Sequence, residues 1–174
     1  MPSPLGIVLV ILQFSTLILL VTTFFWIEFY DNLFGRIVGS MLFVSGLAVI
    51  IAGAMAFQTV NKTPMQVTPD PGQEQQLVTV GIWGWVRHPV YCGLLQVALG
   101  LCCWHQNWPV FVIWLGLVII ITCKGKYEES MLTKEFLDYA EYKKHSCMLF
   151  PLPFYHYRAP ATSSPPPAVS PTGV

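Results

Sequence analysis

The sequence from residue 90 to 123 reads VYCGLLQVALGLCCW, then HQNW, then PVFVIWLGLVIIITC. Each outer stretch is 15 residues long and contains no Lys, Arg, Asp or Glu. As a helix, each would extend about 22 Å at ~1.5 Å per residue. Only the four residues from His105 to Trp108 separate the two stretches, and so short a connection makes successive helices antiparallel neighbours. The sequence therefore predicts a helical hairpin.

Two longer apolar stretches precede the hairpin, at residues 5–27 and 37–57, and neither contains a charged residue. About 20 apolar residues span the ~30 Å hydrocarbon core of a bilayer, so both are predicted to be membrane helices. The first arm of the hairpin reaches the same length if it begins near residue 84. We therefore predict an all-α polytopic membrane protein, with one domain over residues 1–157 and four spans, at 5–27, 37–57, 84–104 and 109–123.

The composition agrees with a protein that contacts a bilayer. Charged residues make up 10% of the chain, hydrophobic residues make up 54%, and the formal net charge is zero. Soluble domains carry roughly 25% charged residues, and nucleic-acid binding requires a basic surface. The sequence therefore predicts the bilayer as a partner and excludes a nucleic-acid-binding protein.

The distribution of basic residues predicts the orientation in the membrane. With four spans, both termini and the 58–89 loop lie on one side of the bilayer. That side carries every Lys and Arg except Arg36. Because basic residues concentrate on the cytosolic side of membrane proteins, both termini are predicted to be cytosolic.

The remaining segments are polar. Residues 126–144 have helical periodicity and are predicted to form a cytosolic amphipathic helix, with Met131, Leu132 and Phe136 on its apolar stripe. Residues 158–174 are rich in proline and are predicted to be a disordered tail. The five cysteines lack the spacing of a metal site, so we interpret them as small packing residues.

Polar groups cluster where the hairpin enters the predicted membrane. Pro89 suits a first helical turn and disfavours helix at the residue before it, so the helix should begin there, with Arg87 and His88 just ahead. A helix N-terminus beside an arginine favours an anion. Gly93 would allow the backbone or a ligand to approach closely. The alternative is a membrane-anchoring arginine beside a structural proline.

A second polar group follows the hairpin, from Lys124 to Glu129. Glu128 lies on the same helical face as Leu132 and Phe136, so its carboxylate is predicted to point inward. It would accept hydrogen bonds from a hydroxyl or an amino group. The alternatives are that the two glutamates complement a helix dipole and that Lys124 is an ordinary cytosolic lysine. The antiparallel hairpin should bring both polar groups to one end.

Several of these residues together resemble the isoprenylcysteine carboxyl methyltransferase family. This family belongs to a wider group of integral-membrane methyltransferases that includes phospholipid methyltransferases. The resemblance extends over about residues 75–153. It rests on Gly81, Arg87-His88-Pro89, Tyr91, Gly93, Glu128-Glu129, Leu132, Phe136, Tyr139, Tyr142 and Pro151.

The resemblance implies metal-free methyl transfer from S-adenosylmethionine to the C-terminal carboxylate of a prenylated cysteine at the endoplasmic reticulum. Arg87 and Glu128 would be the catalytic residues, with Arg87 beside either the cofactor or the substrate carboxylate. Lys124 would bind substrate together with Arg87. The implied cofactor contacts are Gln76, Leu77, Val78, His88, Pro89, Tyr91 and Glu128.

Three positions depart from the family pattern. Trp83 stands where the family has a tyrosine, and Leu137 stands where it has a glycine. Lys124 replaces an arginine, and a lysine cannot form the bidentate contact of a guanidinium with a carboxylate.

Three other functions remain open from the sequence. A phospholipid N-methyltransferase would share the cofactor and act on a lipid, but its amine must lose a proton, so Glu129 or His88 would serve as base. A membrane sterol reductase has a similar Arg-His-Pro-x-Tyr, with Asn where this chain has Val90. A non-enzymatic membrane adaptor would use the proline-rich tail to bind partners.

Overall fold

The computed structural model describes residues 3–26, 32–63, 65, 76–152 and 156–157. The predicted tail at 158–174 lies outside these residues. The described chain forms α1 (Pro4–Trp26), α2 (Leu33–Asn61), α3 (Pro89–His105), α4 (Trp108–Glu135) and α5 (Tyr139–Lys144), with a 3-10 turn at Gly81–Gly84 before α3.

The long helices have the length and composition of membrane spans. Among the described residues, α1, α2 and α4 are long and apolar enough to cross a bilayer, and α3 is a shorter apolar helix of 17 residues. Most large apolar side chains of α1 and α2 are exposed, as expected for surfaces that face lipid rather than water. The protein is therefore an all-α polytopic membrane protein, as predicted.

The predicted hairpin consists of α3 and α4, joined by Gln106 and Asn107 alone. Gln106 closes α3 in the left-handed region at φ 53°, and its side chain donates a 3.0 Å hydrogen bond to the Asn32 carbonyl. Further along the hairpin, the Trp114 indole donates to the Leu95 carbonyl at 3.0 Å. The two helices are therefore antiparallel neighbours.

The start of α3 confirms one prediction and corrects another. The helix begins at Pro89, which occupies its first turn. The span predicted from residue 84 is therefore too long, because residues 81–84 form the separate 3-10 turn. The physical reason is the proline, which disfavours helical backbone at the preceding residue. His88 accordingly adopts φ −127° and ψ 65°.

Glycines hold α2 against α3. A Cβ on Gly46 would lie 2.7 Å from the Gly93 carbonyl oxygen, and one on Gly93 would lie 2.6 Å from the Gly46 carbonyl oxygen. Gly39 and Gly100 face each other in the same way, at 2.7 Å in both directions. Only residues without a Cβ let membrane helices approach this closely. Gly93 thus serves the approach of another backbone, one of the two uses predicted for it.

The ends of the helices follow an up-and-down order. The Gln13 side chain of α1 contacts Lys124 of α4, whereas Thr23, further along α1, contacts His105 at the end of α3. The starts of α1 and α3 and the ends of α2 and α4 therefore meet at one end of the bundle, which we call the polar end. This order agrees with the predicted four-span topology.

The predicted helix at residues 126–144 is corrected. Helix α4 continues without a break through Gly125 to Glu135, the chain turns at residues 136–138, and only residues 139–144 form α5. Gly125 does not end the helix because its bare face is filled by neighbours. A Cβ there would lie 2.6 Å from Met148 Cε and 3.5 Å from His88 Nε2. The charged residues that follow residue 123 therefore lie within α4 and do not end the helix.

Candidate active site

The turn before α3 is held by the C-terminal segment at residues 146–149. The Arg87 amide donates to the Cys147 carbonyl at 2.8 Å, and the His88 amide donates to the Met148 carbonyl at 3.1 Å. In return, the Cys147 amide donates to the Trp85 carbonyl at 3.0 Å. These backbone bonds fix the positions from which the Arg87 and His88 side chains point toward α4.

Arg87 is buried, with 8% of its side chain exposed, and is paired with Glu129 of α4, which is 4% exposed. Its Nε donates to Glu129 Oε1 at 2.7 Å, while its Nη1 donates to the Lys143 carbonyl at 3.1 Å and to the Ser146 carbonyl. Glu129 Oε2 lies 2.8 Å from Lys143 Nζ. The guanidinium therefore joins the turn to α4, to α5 and to the segment after α5.

The neighbouring glutamate contacts a different group of residues. Glu128 Oε1 accepts a 2.5 Å hydrogen bond from the Tyr91 hydroxyl, and Glu128 Oε2 lies 3.3 Å from His88 Nδ1. The His88 and Tyr91 rings stack, with centroids 5.3 Å apart. Glu128 thus points inward, as predicted from its helical face, but 15% of its side chain stays exposed.

His88 stands between the two glutamates. Its Nε2 is 3.6 Å from Glu129 Oε1 and has no hydrogen-bond partner among the described residues. Burial alone lowers the pKa of His88, but the contact with Glu128 and the negative charges of Glu128 and Glu129 outweigh it, so the pKa is raised above 6.5. The imidazole therefore retains its second proton to a higher pH than an ordinary histidine does.

Lys124 lies one helical turn deeper than Glu128 and is 1% exposed. Its Nζ donates a 3.0 Å hydrogen bond to Gln13 Oε1 and lies 5.0 Å from the centroid of the Tyr91 ring. The hairpin thus brings Arg87, His88 and Tyr91 together with Lys124, Glu128 and Glu129, as the antiparallel arrangement predicts. We call these six side chains the polar cluster.

The other predicted cofactor residues lie at the edge of this arrangement. The Gln76 amide donates to Asn61 Oδ1 at 2.6 Å, which ties the segment to the end of α2. Val78 is buried against Phe57 and Trp83. Leu77, which precedes it in the sequence, is half-buried. Pro89 packs on α2, 3.1 Å from the position of a Cβ on Gly53. Their contacts with a cofactor stay a prediction.

Sequence reasoning missed two members of this arrangement. The sequence suggests for Glu129 a place in the family motif, a helix-dipole role or a base for a lipid amine, but not that it is the more buried of the two glutamates and the partner of Arg87. Gln13 was not considered, although a lone amide among the apolar residues of α1 is a signal for an intramembrane contact. The Trp83 indole, where the family has a tyrosine, donates to the Gly53 carbonyl at 3.0 Å and so binds α2.

Two neighbouring tyrosines of α5 allow a matched test of hydrogen bonding near the cluster. Tyr139 and Tyr142 are each 1% exposed. The Tyr142 hydroxyl donates to the Trp83 carbonyl, whereas the Tyr139 hydroxyl has no partner in the described part of the chain. Burial first, and then the charge of Glu129, raise the pKa of Tyr139, so this hydroxyl stays protonated at neutral pH.

Tyr139→Phe should therefore raise the free energy of unfolding by about 1 kcal/mol, because it removes a buried polar group without a partner. The melting temperature in detergent should rise accordingly. Tyr142→Phe should lower the free energy of unfolding by about 1–2 kcal/mol, because it leaves the Trp83 carbonyl without its donor. Thermal unfolding of both variants beside the parent checks this. Equal losses in the two variants would contradict the difference in hydrogen bonding.

The fold and the cluster together define a class of protein: a polytopic helical membrane protein with a buried ionic site at one end of its bundle. The model of the phospholipid methyltransferase family matches residues 34–138, and the chain belongs to that family. The family includes the isoprenylcysteine carboxyl methyltransferases, so the resemblance found in the sequence is confirmed at this level. A search of curated proteins gave no significant match.

The match begins before the stretch that carries the resemblance. It includes all of α2 after Leu33, so α2 is part of the family domain. It includes the six residues of the polar cluster but excludes α1 and α5. Family membership supports methyltransferase activity at a membrane.

Proposed function

We propose that this protein transfers a methyl group from S-adenosylmethionine to the C-terminal carboxylate of a prenylated cysteine, at the cytosolic face of the endoplasmic reticulum. The observation that carries the proposal is the polar cluster. It combines an inward carboxylate, Glu128, with a buried lysine, Lys124, at the end of an apolar bundle whose outer surface suits lipid.

The donors and acceptors of the cluster fit the proposed cofactor. Glu128 keeps part of its carboxylate exposed and can accept from a ribose hydroxyl or an amino group. His88 Nε2 is buried and has no hydrogen-bond partner among the described residues. When bound, S-adenosylmethionine supplies an electrophilic methyl group, which leaves the protein to position and desolvate the reactants.

The charges of the site favour an anionic acceptor. Apart from His88, the cations Arg87 and Lys124 of the polar cluster meet the carboxylates Glu128 and Glu129. Lys143, with 49% of its side chain exposed, adds a positive charge at the edge of the cluster. The Lys124 ammonium is buried, and in such a low-dielectric environment it attracts a carboxylate more strongly than in water. A carboxylate is ionised near pH 7, so the reaction requires no general base.

Arg87 takes a positioning role in this proposal. Its Nε and Nη1 already donate to Glu129 and to two backbone carbonyls, so it holds the site together. We assign attraction of the acceptor carboxylate to Lys124, whose ammonium lies over Tyr91. Tyr91 in turn orients Glu128 through its hydroxyl.

Phospholipid N-methylation is the second candidate, and one observation favours it. His88 Nδ1 and Glu128 Oε2 lie 3.3 Å apart, and the carboxylate of this pair can accept a proton from an ammonium headgroup. The family to which the chain belongs is named the phospholipid methyltransferase family. Lys124 opposes this candidate, because a buried ammonium repels a protonated amine.

Methyl-transfer assays separate the two acceptors. The purified protein in lipid nanodiscs is incubated with labelled S-adenosylmethionine and either N-acetyl-S-farnesylcysteine or phosphatidylethanolamine. We expect a base-labile methyl ester on the prenylcysteine and no labelled lipid. Base-stable label on the lipid alone would replace the first proposal with the second.

Glu128→Gln should weaken binding of S-adenosylmethionine about tenfold, since hydrogen bonds to a charged acceptor contribute about 1.5–3 kcal/mol and those to a neutral one about 0.5–1.5 kcal/mol. Isothermal titration calorimetry in detergent measures this directly. Glu135→Gln is the matched control, because it makes the same change on an exposed turn of the same helix. Unchanged affinity in Glu128→Gln would remove this residue from the cofactor site.

A further inference from the structure

Helix α1 lies outside the family match, which begins at residue 34, yet one of its side chains contacts a member of the polar cluster. Gln13 is 6% exposed, in a helix whose other residues are almost all apolar. Its Oε1 accepts a 3.0 Å hydrogen bond from Lys124 Nζ. This contact joins α1 to α4 at the polar end of the bundle.

We propose that Gln13 is a positioning residue that holds the Lys124 ammonium, still charged, over Tyr91, and that α1 thereby sets the preference of the site for an anionic acceptor. The preference for an anionic acceptor rests on the proposed function. The contact of Gln13 with Lys124 does not, because it is independent of any acceptor. It extends the site to a helix that the family match does not reach.

The chemistry of an amide explains why this side chain suits the role. A lysine with 1% exposure loses the hydration of its ammonium, which is costly unless other groups accept its hydrogen bonds. A carboxylate at position 13 would accept such a bond but would also neutralise the charge. A glutamine accepts it without adding a negative charge, so it does not itself weaken the attraction of Lys124 for an incoming anion.

The surroundings of Lys124 support a directional role. The face of the Tyr91 ring, with its centroid 5.0 Å away, attracts a cation on one side. Gln13 supplies a hydrogen-bond acceptor from α1. The lysine is thereby held between two helices, α1 and α3, one helical turn from Glu128.

Two substitutions of Gln13 test the two parts of the proposal. Gln13→Leu removes the acceptor, so it should lower the melting temperature in the parent protein but not in a Lys124→Met background. Gln13→Glu keeps an acceptor of the same reach, so it should keep or raise the melting temperature. Because it neutralises Lys124, it should also weaken binding of N-acetyl-S-farnesylcysteine at least tenfold.

The carboxamide of the same prenylcysteine is the matched probe, because it lacks the charge. We expect its affinity to be unchanged in Gln13→Glu. Thr23→Val is the matched protein control, because it removes a buried polar contact between α1 and His105 at the other end of the bundle. It should change the affinity of neither probe.

Three results would overturn the proposal. Parental affinity of Gln13→Glu for the carboxylate probe would remove the role in acceptor preference. An equal loss of melting temperature for Gln13→Leu in both backgrounds would remove the positioning role. Failure of the parent protein to distinguish carboxylate from carboxamide would overturn both the proposed acceptor and its dependence on Gln13, while the stability measurements would still decide whether Gln13 holds Lys124.

Discussion

Glu129→Gln should lower the free energy of unfolding by about 3–5 kcal/mol, because it removes the carboxylate that neutralises the buried Arg87. A glutamine can still accept one hydrogen bond, but it carries no charge to offset the guanidinium. Lys143 and His88, the other cations near this carboxylate, would lose the same partner. Thermal unfolding in detergent measures the loss, and an unchanged melting temperature would contradict it.

Two further variants separate the ion pair from its surroundings. The double substitution Arg87→Met with Glu129→Met should regain much of the stability that either single substitution loses, because no buried charge is then left unpaired. Glu141→Gln is the surface control. Glu141 pairs with Lys144 and His145 on the exposed side of α5, so this change should have little effect. Additive losses in the double variant would show that Arg87 and Glu129 stabilise the fold separately.

Gly46→Ala should destabilise the protein by about 1–3 kcal/mol, although it adds a single methyl group. That methyl would lie 2.7 Å from the Gly93 carbonyl oxygen and 2.8 Å from the Val97 amide nitrogen. Both atoms belong to the backbone of α3, so relief requires α2 and α3 to move apart. A lower melting temperature and a smaller fraction of monodisperse protein in detergent would indicate this separation.

Gly116→Ala makes the same substitution where no atom lies within 4 Å of the new methyl, apart from the helix itself. It should be neutral or stabilise the protein by up to about 1 kcal/mol, since alanine favours a helix more than glycine does. Equal melting temperatures for Gly46→Ala and Gly116→Ala would contradict the close approach of α2 and α3.

Much of the architecture follows from local rules that the sequence displays. The short connection at 105–108 predicts antiparallel helices, Pro89 predicts the start of α3, and the face shared with Leu132 predicts that Glu128 points inward. Each rule depends on neighbours in the chain, and the structure agrees with each. The juxtaposition of His88 with Glu128 follows from the hairpin alone.

The contacts that local rules miss depend on distant segments. Adjacent helical residues point about 100° apart, so a face that places Glu128 inward would leave Glu129 at the side. Glu129 is buried because Lys143 and the turn at Arg87 cover that side, which only the folded C-terminal segment can do. The continuation of α4 was missed for a related reason, since Met148 and His88 fill the space beside Gly125.

The pairing of residues 146–149 with the turn before α3 has a consequence for biosynthesis. A ribosome delivers α1 first and this segment among the last of the described residues, so the loop carrying Arg87 and His88 emerges long before the backbone groups that anchor it. The nascent chain can insert its apolar helices into the membrane early. The turn that carries Arg87 and His88 is anchored only after translation has passed Met148, so we expect unfinished chains to lack the assembled polar cluster.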